Sequence, residues 1–315
     1  MSEKIFIGID TSNYTTSCAF CNENGKIVEN FKILLPVKNG ENGLRQSDAV
    51  FFHIKNLQSI AEMIKERSKS YTVEAIGYSA YPRDCEGSYM PCFLVGQALG
   101  QMLSAILSVN AYPFSHQAGH IKAAIYSSGA TDDEDFIAFH VSGGTTEIVY
   151  VKKDENGYKI NFIGGSVDLH AGQAIDRIGV SMGLKFPCGK ELEALAIQNK
   201  EKIPNCKICV SDYNCNLSGL ENLASNLYKK TDDKALTSAF VLEFIGKTII
   251  KLSENLRNEY PNTKIVYAGG VMSNSIIKNK IKKSFDNVYF AMPEFSTDNG
   301  AGISLLAYEK HTKRG

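Results

Sequence analysis

The stretch IFIGIDTSNYTTSCAFCNENGKIVEN, Ile5 to Asn30, returns in altered form as FIAFHVSGGTTEIVYVKKDENGYKINF, Phe136 to Phe162. Each copy reads as an apolar strand, a tight turn of Ser, Thr and Gly residues ending in Thr-Thr, and a second strand. An Asn-Gly turn signal within Glu-Asn-Gly and a third strand complete it. Thr15-Thr16 and Thr145-Thr146 correspond at an offset of 145 − 15 = 130 residues. A spacing that long is no solenoid period; it points to a duplicated domain.

Outward from the two copies, strands alternate with covering helices. Asp48 to Ser68 carries apolar residues at helical spacing (Phe52, Leu57, Ile60, Met63, Ile64), and Val73 to Tyr78 reads as a buried strand. Phe93 to Val109 is an apolar helix, followed by a short strand at Ala111 to Phe114. Helices are expected at Ile175 to Leu184 and Glu191 to Ile197, separated by the break Phe186-Pro187-Cys188-Gly189, and at Leu236 to Arg257. Lys264 to Tyr267 is a strand feeding Gly269-Gly270, then come a helix at Ser273 to Ser284, a strand at Val288 to Met292 and a helix at Asn299 to Glu309. The result is an α/β chain with mixed sheets. The turn-rich run from Ser127 to Asp133 divides it into residues 1–127 and 128–315, with the C-terminal helix free to pack back on the first domain.

Bulk composition excludes several function classes. Lys plus Arg and Asp plus Glu both number 34, so no overall basic field draws the chain to nucleic acid or membrane, and any RNA contact requires a local patch or a partner. Hydrophobic content of 43% suits sizeable cores in a 315-residue chain. The start MSEKIFIGID has no signal-peptide character, and no apolar run approaches a membrane span, so the expected location is the cytoplasm. Eight cysteines fit that compartment as free thiols; Cys206, Cys209 and Cys215 have zinc-like spacing but no evident fourth ligand. The spacing of Lys278, Lys280, Lys282 and Lys283 suits a solvated helix face better than a polyanion site.

Three Gly/Ser/Thr-rich turns close strands. The first is Asp10 to Thr16, the second Ser142-Gly143-Gly144-Thr145-Thr146, and the third Ala268-Gly269-Gly270-Val271-Met272-Ser273-Asn274. Backbone amides in such turns, with hydroxyls beside them, cradle phosphate oxygens, and a following helix start adds free N–H groups. Two matching hairpins plus a later Gly-Gly site are what an actin, sugar-kinase or Hsp70-type nucleotide cleft needs. His116-Gln117-Ala118-Gly119-His120 places two imidazoles one helical turn apart, able to share a metal ion. Gln117 stands where a zinc protease would need its glutamate base, which removes proteolysis. Asp298, in Ser296-Thr297-Asp298-Asn299-Gly300, is the candidate third ligand, with helix capping as its alternative role.

Together these positions resemble the tRNA threonylcarbamoyladenosine transferase family (TsaD-like, glycoprotease-like) over nearly the whole chain. The resemblance is carried by His116-x-x-x-His120, Val141 to Thr146, Ala171-Gly172-Gln173-Ala174-Ile175-Asp176 with Pro187-Cys188-Gly189, Leu217-Ser218-Gly219-Leu220, Ala268 to Val271 with Asn274, and Ser296 to Asn299. It implies a two-domain actin-like (ASKHA) fold around a nucleotide cleft and one divalent ion, iron or zinc, on His116, His120 and Asp298. It further implies an adenine nucleotide (threonylcarbamoyl-AMP, AMP or ATP), with Ser12, Ser142, Gly143, Gly144, Gly269 and Gly270 about its phosphates. Asp176 is expected at the ribose hydroxyls, and Gly189 and Asn274 at the nucleoside. Asp10, as acid/base or water-mediated metal partner, and Thr145 are the candidate catalytic residues. The implied reaction passes threonylcarbamoyl from an adenylate, made by a partner enzyme, to the N6 amine of the adenosine beside the tRNA anticodon. A protein partner from the same modification pathway is also implied.

The chain departs from the family pattern at several points. Thr145 replaces the family's histidine in Ser-Gly-Gly-His-Thr, and Asn13-Tyr14 replaces an acidic pair. The segment Tyr81 to Gly87 replaces a Gly-Pro-Gly loop, Glu221 replaces a lysine, and Gln173 replaces a glutamate. Metal and nucleotide positions are kept while those toward the acyl group or tRNA differ, the pattern of a divergent paralogue. Two alternatives therefore stay open: a carbamoyltransferase acting on another acceptor, and a non-catalytic nucleotide-binding paralogue that regulates the active transferase.

Overall fold

The computed structural model describes residues 2–12, 14–36, 44–67, 71–154 and 157–313. Asn13 of the first turn, Ser68 at the expected helix end and Glu155-Asn156 of the second Asn-Gly signal lie outside the described residues.

The chain opens with three antiparallel strands, β1 (Glu3–Thr11), β2 (Thr15–Asn22) and β3 (Ile27–Leu34). β2 and all but the first two residues of β1 are buried on both faces, which is why they read as near-continuous small and apolar runs, whereas only Phe31 is buried on the edge strand β3. At the β2–β3 turn, Asn22 Oδ1 accepts from the amides of Asn24 and Lys26, and Gly25 takes φ +70°, so the Asn-Gly signal has a direct mechanical basis. Next come α1 (Gln46–Arg67), β4 (Tyr71–Tyr81), α2 (Phe93–Leu107), β5 (Asn110–Ser115) and α3 (His116–Ser128). β4 and β5 join in parallel, giving the sheet order β3-β2-β1-β4-β5.

The second half repeats the plan with β6 (Phe136–Val141), β7 (Thr146–Asp154) and β8 (Gly157–Ser166). After them come α4 (Ala171–Ser181), α5 (Gly189–Gln198), β9 (Cys209–Ser211), β10 (Asn214–Asn216), α6 (Ser218–Thr231) and α7 (Lys234–Glu259). β11 (Lys264–Ala268), α8 (Ser275–Ser284), β12 (Val288–Phe290) and α9 (Ala301–Thr312) complete the chain. The second sheet has the order β12-β11-β6-β7-β8-β10-β9. Read from β8, its first five strands run β8-β7-β6-β11-β12, the arrangement of the first sheet with β9 and β10 added at an edge. The register agrees: Thr11 faces Thr16 and Val141 faces Thr146, so both members of the pair are displaced by 130 residues (141 − 11 and 146 − 16).

Two compact units result. The first comprises Met1–Ser127, Lys153–Ile160 and Thr297–Gly315; the second comprises Ser128–Lys152 and Asn161–Ser296. A single division after residue 127 therefore leaves two pieces of the first unit on the far side. The tip of the β7–β8 hairpin is one, tied to α9 by Lys153 Nζ at 3.5 Å from Glu309 Oε2. The helix α9 is the other: it lies so close over β1 that a Cβ on Gly8 would sit 2.3 Å from the Gly300 oxygen. Each unit has its own core, around Ile5, Ile9, Phe20, Phe31 and Ile76 in the first and Phe139, Ile178, Leu192, Phe244 and Tyr267 in the second.

Two local expectations change. The helix expected from Ser273 is a 3-10 turn at Gly270–Ser273 followed by α8, because Asn274 takes an extended conformation and its Oδ1 accepts from the amides of Ile276 and Ile277. Nothing in the sequence reading anticipated α6, whose buried side is short: Leu217 just before it, then Leu220 and Ala224.

Candidate functional site

The imidazoles of the first unit stand at the start of α3. Ser115 caps that helix, its Oγ accepting from the Ala118 amide at 3.1 Å and donating to Asp84 Oδ2 at 2.7 Å. The amide of Gln117 is taken by the Pro82 oxygen at 3.0 Å. With the helix start fixed, His116 and His120 share one face, ring centroids 4.3 Å apart. Asp298 arrives from the segment before α9, where it does not cap the helix: the N-cap is Gly300, and Asn299 Oδ1 accepts from the Ala301 amide at 3.0 Å. The two helices are brought close by paired glycines. A Cβ on Gly302 would lie 1.8 Å from the Gly119 oxygen, so no side chain fits between α3 and α9 at that level.

This packing brings three donor atoms together. His116 Nε2 and His120 Nε2 are 3.0 Å apart, and Asp298 Oδ1 is 3.6 Å from the first and 3.2 Å from the second. Tetrahedral coordination with bonds of ~2.1 Å needs donor separations of about 3.4 Å, which these values bracket. Two imidazoles and a carboxylate are donors for iron or zinc, and three protein ligands leave a fourth position for substrate. Among the described residues it is the one cluster of three or more His, Cys, Asp or Glu donors within 4.8 Å of one another.

Asp10, at the end of β1, is fully buried, and its Oδ1 accepts from His116 Nδ1 at 2.8 Å. That bond fixes the tautomer and turns Nε2 toward His120 and Asp298, the arrangement by which a carboxylate orients a metal-ligating histidine. Through Oδ1, Asp10 therefore acts on the centre by way of His116. Asp10 Oδ2 and Ser12 Oγ are buried with no hydrogen-bond partner among the described residues, polar capacity that a bound group can satisfy. Burial opposes charge on His116, but the carboxylates of Asp10 and Asp298 outweigh it and raise its pKa to about 10. Burial likewise works against the Asp298 carboxylate, yet the hydrogen bonds from both imidazoles hold its pKa well below the usual carboxylate range. The surroundings favour positive charge at this point, and a divalent ion supplies it without a proton.

The remaining expected site residues, apart from Ser12, belong to the second unit. Ser142 N donates to the Thr145 oxygen at 2.7 Å, closing the turn in which Thr145 is half-buried. The start of α4 docks on that turn: Ala171 N donates to Thr146 Oγ1 at 2.9 Å and Gly172 N to the Ser142 oxygen at 3.1 Å. Asp176, on α4, accepts through Oδ1 from the Cys188 amide at 2.8 Å, while burial raises its pKa. This links the ribose candidate to the loop carrying Gly189. Gly269 has φ +98°, and a Cβ there would stand 2.2 Å from the Val141 oxygen, so strand β11 ends in a position only glycine can hold. Gly143, Gly144, Gly189 and Gly270 differ: nothing lies within 4 Å of where a Cβ would sit. Their lack of a side chain serves open space, as a ligand cradle requires. Asn274 spends its Oδ1 on capping α8. Asp10 and Thr145, paired as catalytic candidates in the sequence, fall in different units.

Some contributors carried no motif. Asp168 accepts from Ser218 Oγ at 2.6 Å and from the amides of Leu169, Leu217 and Ser218, pinning the start of α6. His53, fully buried on α1, contacts the first turn. Three of the four lysines of α8 are engaged locally: Lys278 and Lys282 lie 5.4 and 5.8 Å from the Phe290 ring centroid, and Lys280 pairs with Glu243. No helix among the described residues is long and apolar enough to cross a membrane.

Comparison with known proteins bears on both fold and family. The chain aligns over its full length with HypF solved in a phosphate- and nucleotide-bound form (TM-score 0.60, 14% identity), of which it spans 47%, about half. It also aligns with the activator of 2-hydroxyisocaproyl-CoA dehydratase from Clostridium difficile with bound ADPNP (TM-score 0.53, 13% identity, 98% of this chain and 96% of that one). These similarities establish the ASKHA-type α/β fold. In sequence, it is 28% identical over 324 residues to the tRNA N6-adenosine threonylcarbamoyltransferase of Sulfurihydrogenibium sp. (strain YO3AOP1), covering 99% of this chain and 92% of that one. The family model for tRNA N6-adenosine threonylcarbamoyltransferase, TsaD, matches residues 43–305, a span that includes both histidines, Asp298 and every glycine-lined turn of the second unit. With a matched span that wide, this chain belongs to the tRNA N6-adenosine threonylcarbamoyltransferase family, a family of transferases.

Proposed function

We propose that the protein transfers the threonylcarbamoyl group of threonylcarbamoyl-AMP to the N6 amine of the adenosine adjacent to the tRNA anticodon, with one divalent ion, iron or zinc, on His116, His120 and Asp298. The observation that carries this reading is the convergence of His116 Nε2, His120 Nε2 and Asp298 Oδ1, oriented from behind by Asp10, in a chain of this family. An ion held there supplies Lewis acidity toward the carbamoyl oxygen and a template for its orientation.

The chain's own residues then have distinct tasks. The Ser142–Thr146 turn and Gly270, set by the tightly packed Gly269, present backbone to open space and hold the adenylate phosphate. Asp176, with Oδ1 fixed by Cys188 N, offers Oδ2 to ribose hydroxyls. The N6 nitrogen forms a bond to the carbamoyl carbon as the bond from that carbon to the AMP phosphate oxygen breaks. AMP leaves with the electron pair and the amine's proton passes to water. Turn amides aimed at the phosphate favour this departure because negative charge accumulates there. Thr145, where relatives in the family pattern have histidine, contributes a hydroxyl beside those amides. The donor adenylate is supplied by a partner enzyme, and a second protein of the same modification pathway joins this chain.

The test is direct: purified protein, threonylcarbamoyl-AMP and unmodified tRNA are combined, and digested nucleosides are weighed by mass spectrometry. Threonylcarbamoyladenosine is the expected product. No product with a competent donor, tRNA and the partner protein present would remove the reaction. A carbamoylated product that resists RNase would reassign the acceptor. A cellular role untouched by His116→Ala and Asp298→Ala would reduce the chain to a regulator.

A further inference from the structure

Three consecutive residues, the last two of β1 and Ser12 just after it, are gripped by three different helices. Asp10 holds His116 of α3. The Thr11 hydroxyl donates to the Cys92 oxygen and accepts from the Gly96 amide, both at 3.0 Å, at the start of α2. The Ser12 oxygen lies 2.7 Å from His53 Nε2 on α1. A carbonyl only accepts, so Nε2 of His53 carries the proton. Nδ1, 2.8 Å from Thr16 Oγ1, is then the acceptor for the Thr16 hydroxyl, which in turn accepts from Asn56 Nδ2 at 3.0 Å. The hydrogen bonds run one way: Asn56 to Thr16 to His53 to the Ser12 carbonyl. A single buried imidazole thus ties the end of β1 to the start of β2 across the turn.

We propose that His53 is a positioning residue for the metal centre: by clamping Ser12 and Thr16 it fixes the end of β1, and through it the Asp10 carboxylate that orients His116. Lysine or arginine could not serve, since neither accepts a hydrogen bond, and an apolar residue would leave the Ser12 carbonyl and the Thr16 hydroxyl buried without their partner. The relay extends from α1 to the Nε2 of His116 through Ser12 and, two residues earlier, Asp10 at the end of β1, a distance over which a small backbone shift moves a carboxylate out of hydrogen-bond range. The inference rests on the proposed metal centre, and its test must therefore also read something that needs no metal.

His53→Ala, His53→Gln and Thr16→Val are compared with the parent protein in two measurements. The first is affinity for zinc, by competition with a chromophoric chelator. The second is the proton NMR signal of His116 Nδ1–H in the metal-free protein, held downfield by its bond to Asp10. His53→Ala is expected to weaken zinc binding by about tenfold or more, the range found when groups behind a metal ligand are removed, and to lose the Nδ1–H signal. His53→Gln, whose amide keeps a donor for Ser12, restores most of both. Thr16→Val, which loses only the outer part of the relay, has the smaller effect. A folded His53→Ala protein with zinc affinity within twofold of the parent and an intact Nδ1–H signal would overturn the role, as would a Gln variant no better than Ala. Should the parent itself bind neither zinc nor iron(II), the metal reading fails, and the Nδ1–H signal alone then decides for or against His53.

Discussion

Asp10 Oδ1 bonds His116 Nδ1 behind the proposed centre, so loss of this carboxylate acts first on the orientation of a metal ligand. Asp10→Ala is expected to lower metal affinity by 10- to 100-fold, with Asp10→Asn milder because its amide oxygen still accepts; a chelator titration reads both. At His53 the relevant property is charge. Burial lowers its pKa from the ordinary 6.5, although the bond to the Ser12 oxygen and the charges of Asp10 and Asp298 pull the other way. A depressed folded pKa means that the unfolded chain binds the proton first. The stabilising contribution is therefore complete above pH 6.5 and is lost as pH falls from there toward the folded value. Thermal midpoints measured downward from neutral pH should decline more steeply for the parent than for His53→Gln; parallel curves would contradict the assignment of a neutral imidazole. None of this was legible in the sequence. One histidine on an amphipathic helix has no periodicity or spacing partner, whereas His116 and His120 announce themselves by standing four apart.

Helices and turns show two kinds of glycine, and they are expected to respond oppositely. Gly302 faces the Gly119 backbone with no room for a methyl group, so Gly302→Ala must separate α3 from α9, which carry the imidazoles and lead from the carboxylate. A cost of about 1–3 kcal/mol in stability is expected, with a fall in metal affinity alongside it; calorimetry and the chelator titration test the pair. Gly144 faces open space. Gly144→Ala should change stability by no more than about 0.5 kcal/mol while weakening AMP binding in calorimetric titration. An unchanged AMP affinity would place the nucleotide elsewhere. The duplicated hairpins could be read in advance because apolar runs, Thr-Thr turns and Asn-Gly turns are local signals. The close pairing of Gly119 with Gly302 could not, since contacts between residues 183 positions apart (302 − 119) leave no local pattern. The short α8 start had the same cause in miniature: a capping asparagine among residues that otherwise suit a helix.

For the molecule as a whole, the proposed reaction makes metal removal decisive. Dialysis against a strong chelator should abolish transfer to tRNA, and iron or zinc should restore it; full activity after complete stripping would refute metal dependence. The equal numbers of acidic and basic residues were plain from composition, and so was the two-domain size. The ownership of the last segment was not, because Thr297–Gly315 joins the first unit only after the chain has passed through the whole of the second. That route has a consequence during synthesis. As the polypeptide leaves the ribosome, His116 and His120 emerge early and wait for a carboxylate encoded nearly two hundred codons later. A nascent or prematurely terminated product therefore offers a cation only two of its three donors. Under the proposed function, firm capture of iron or zinc therefore waits until Asp298 has been made.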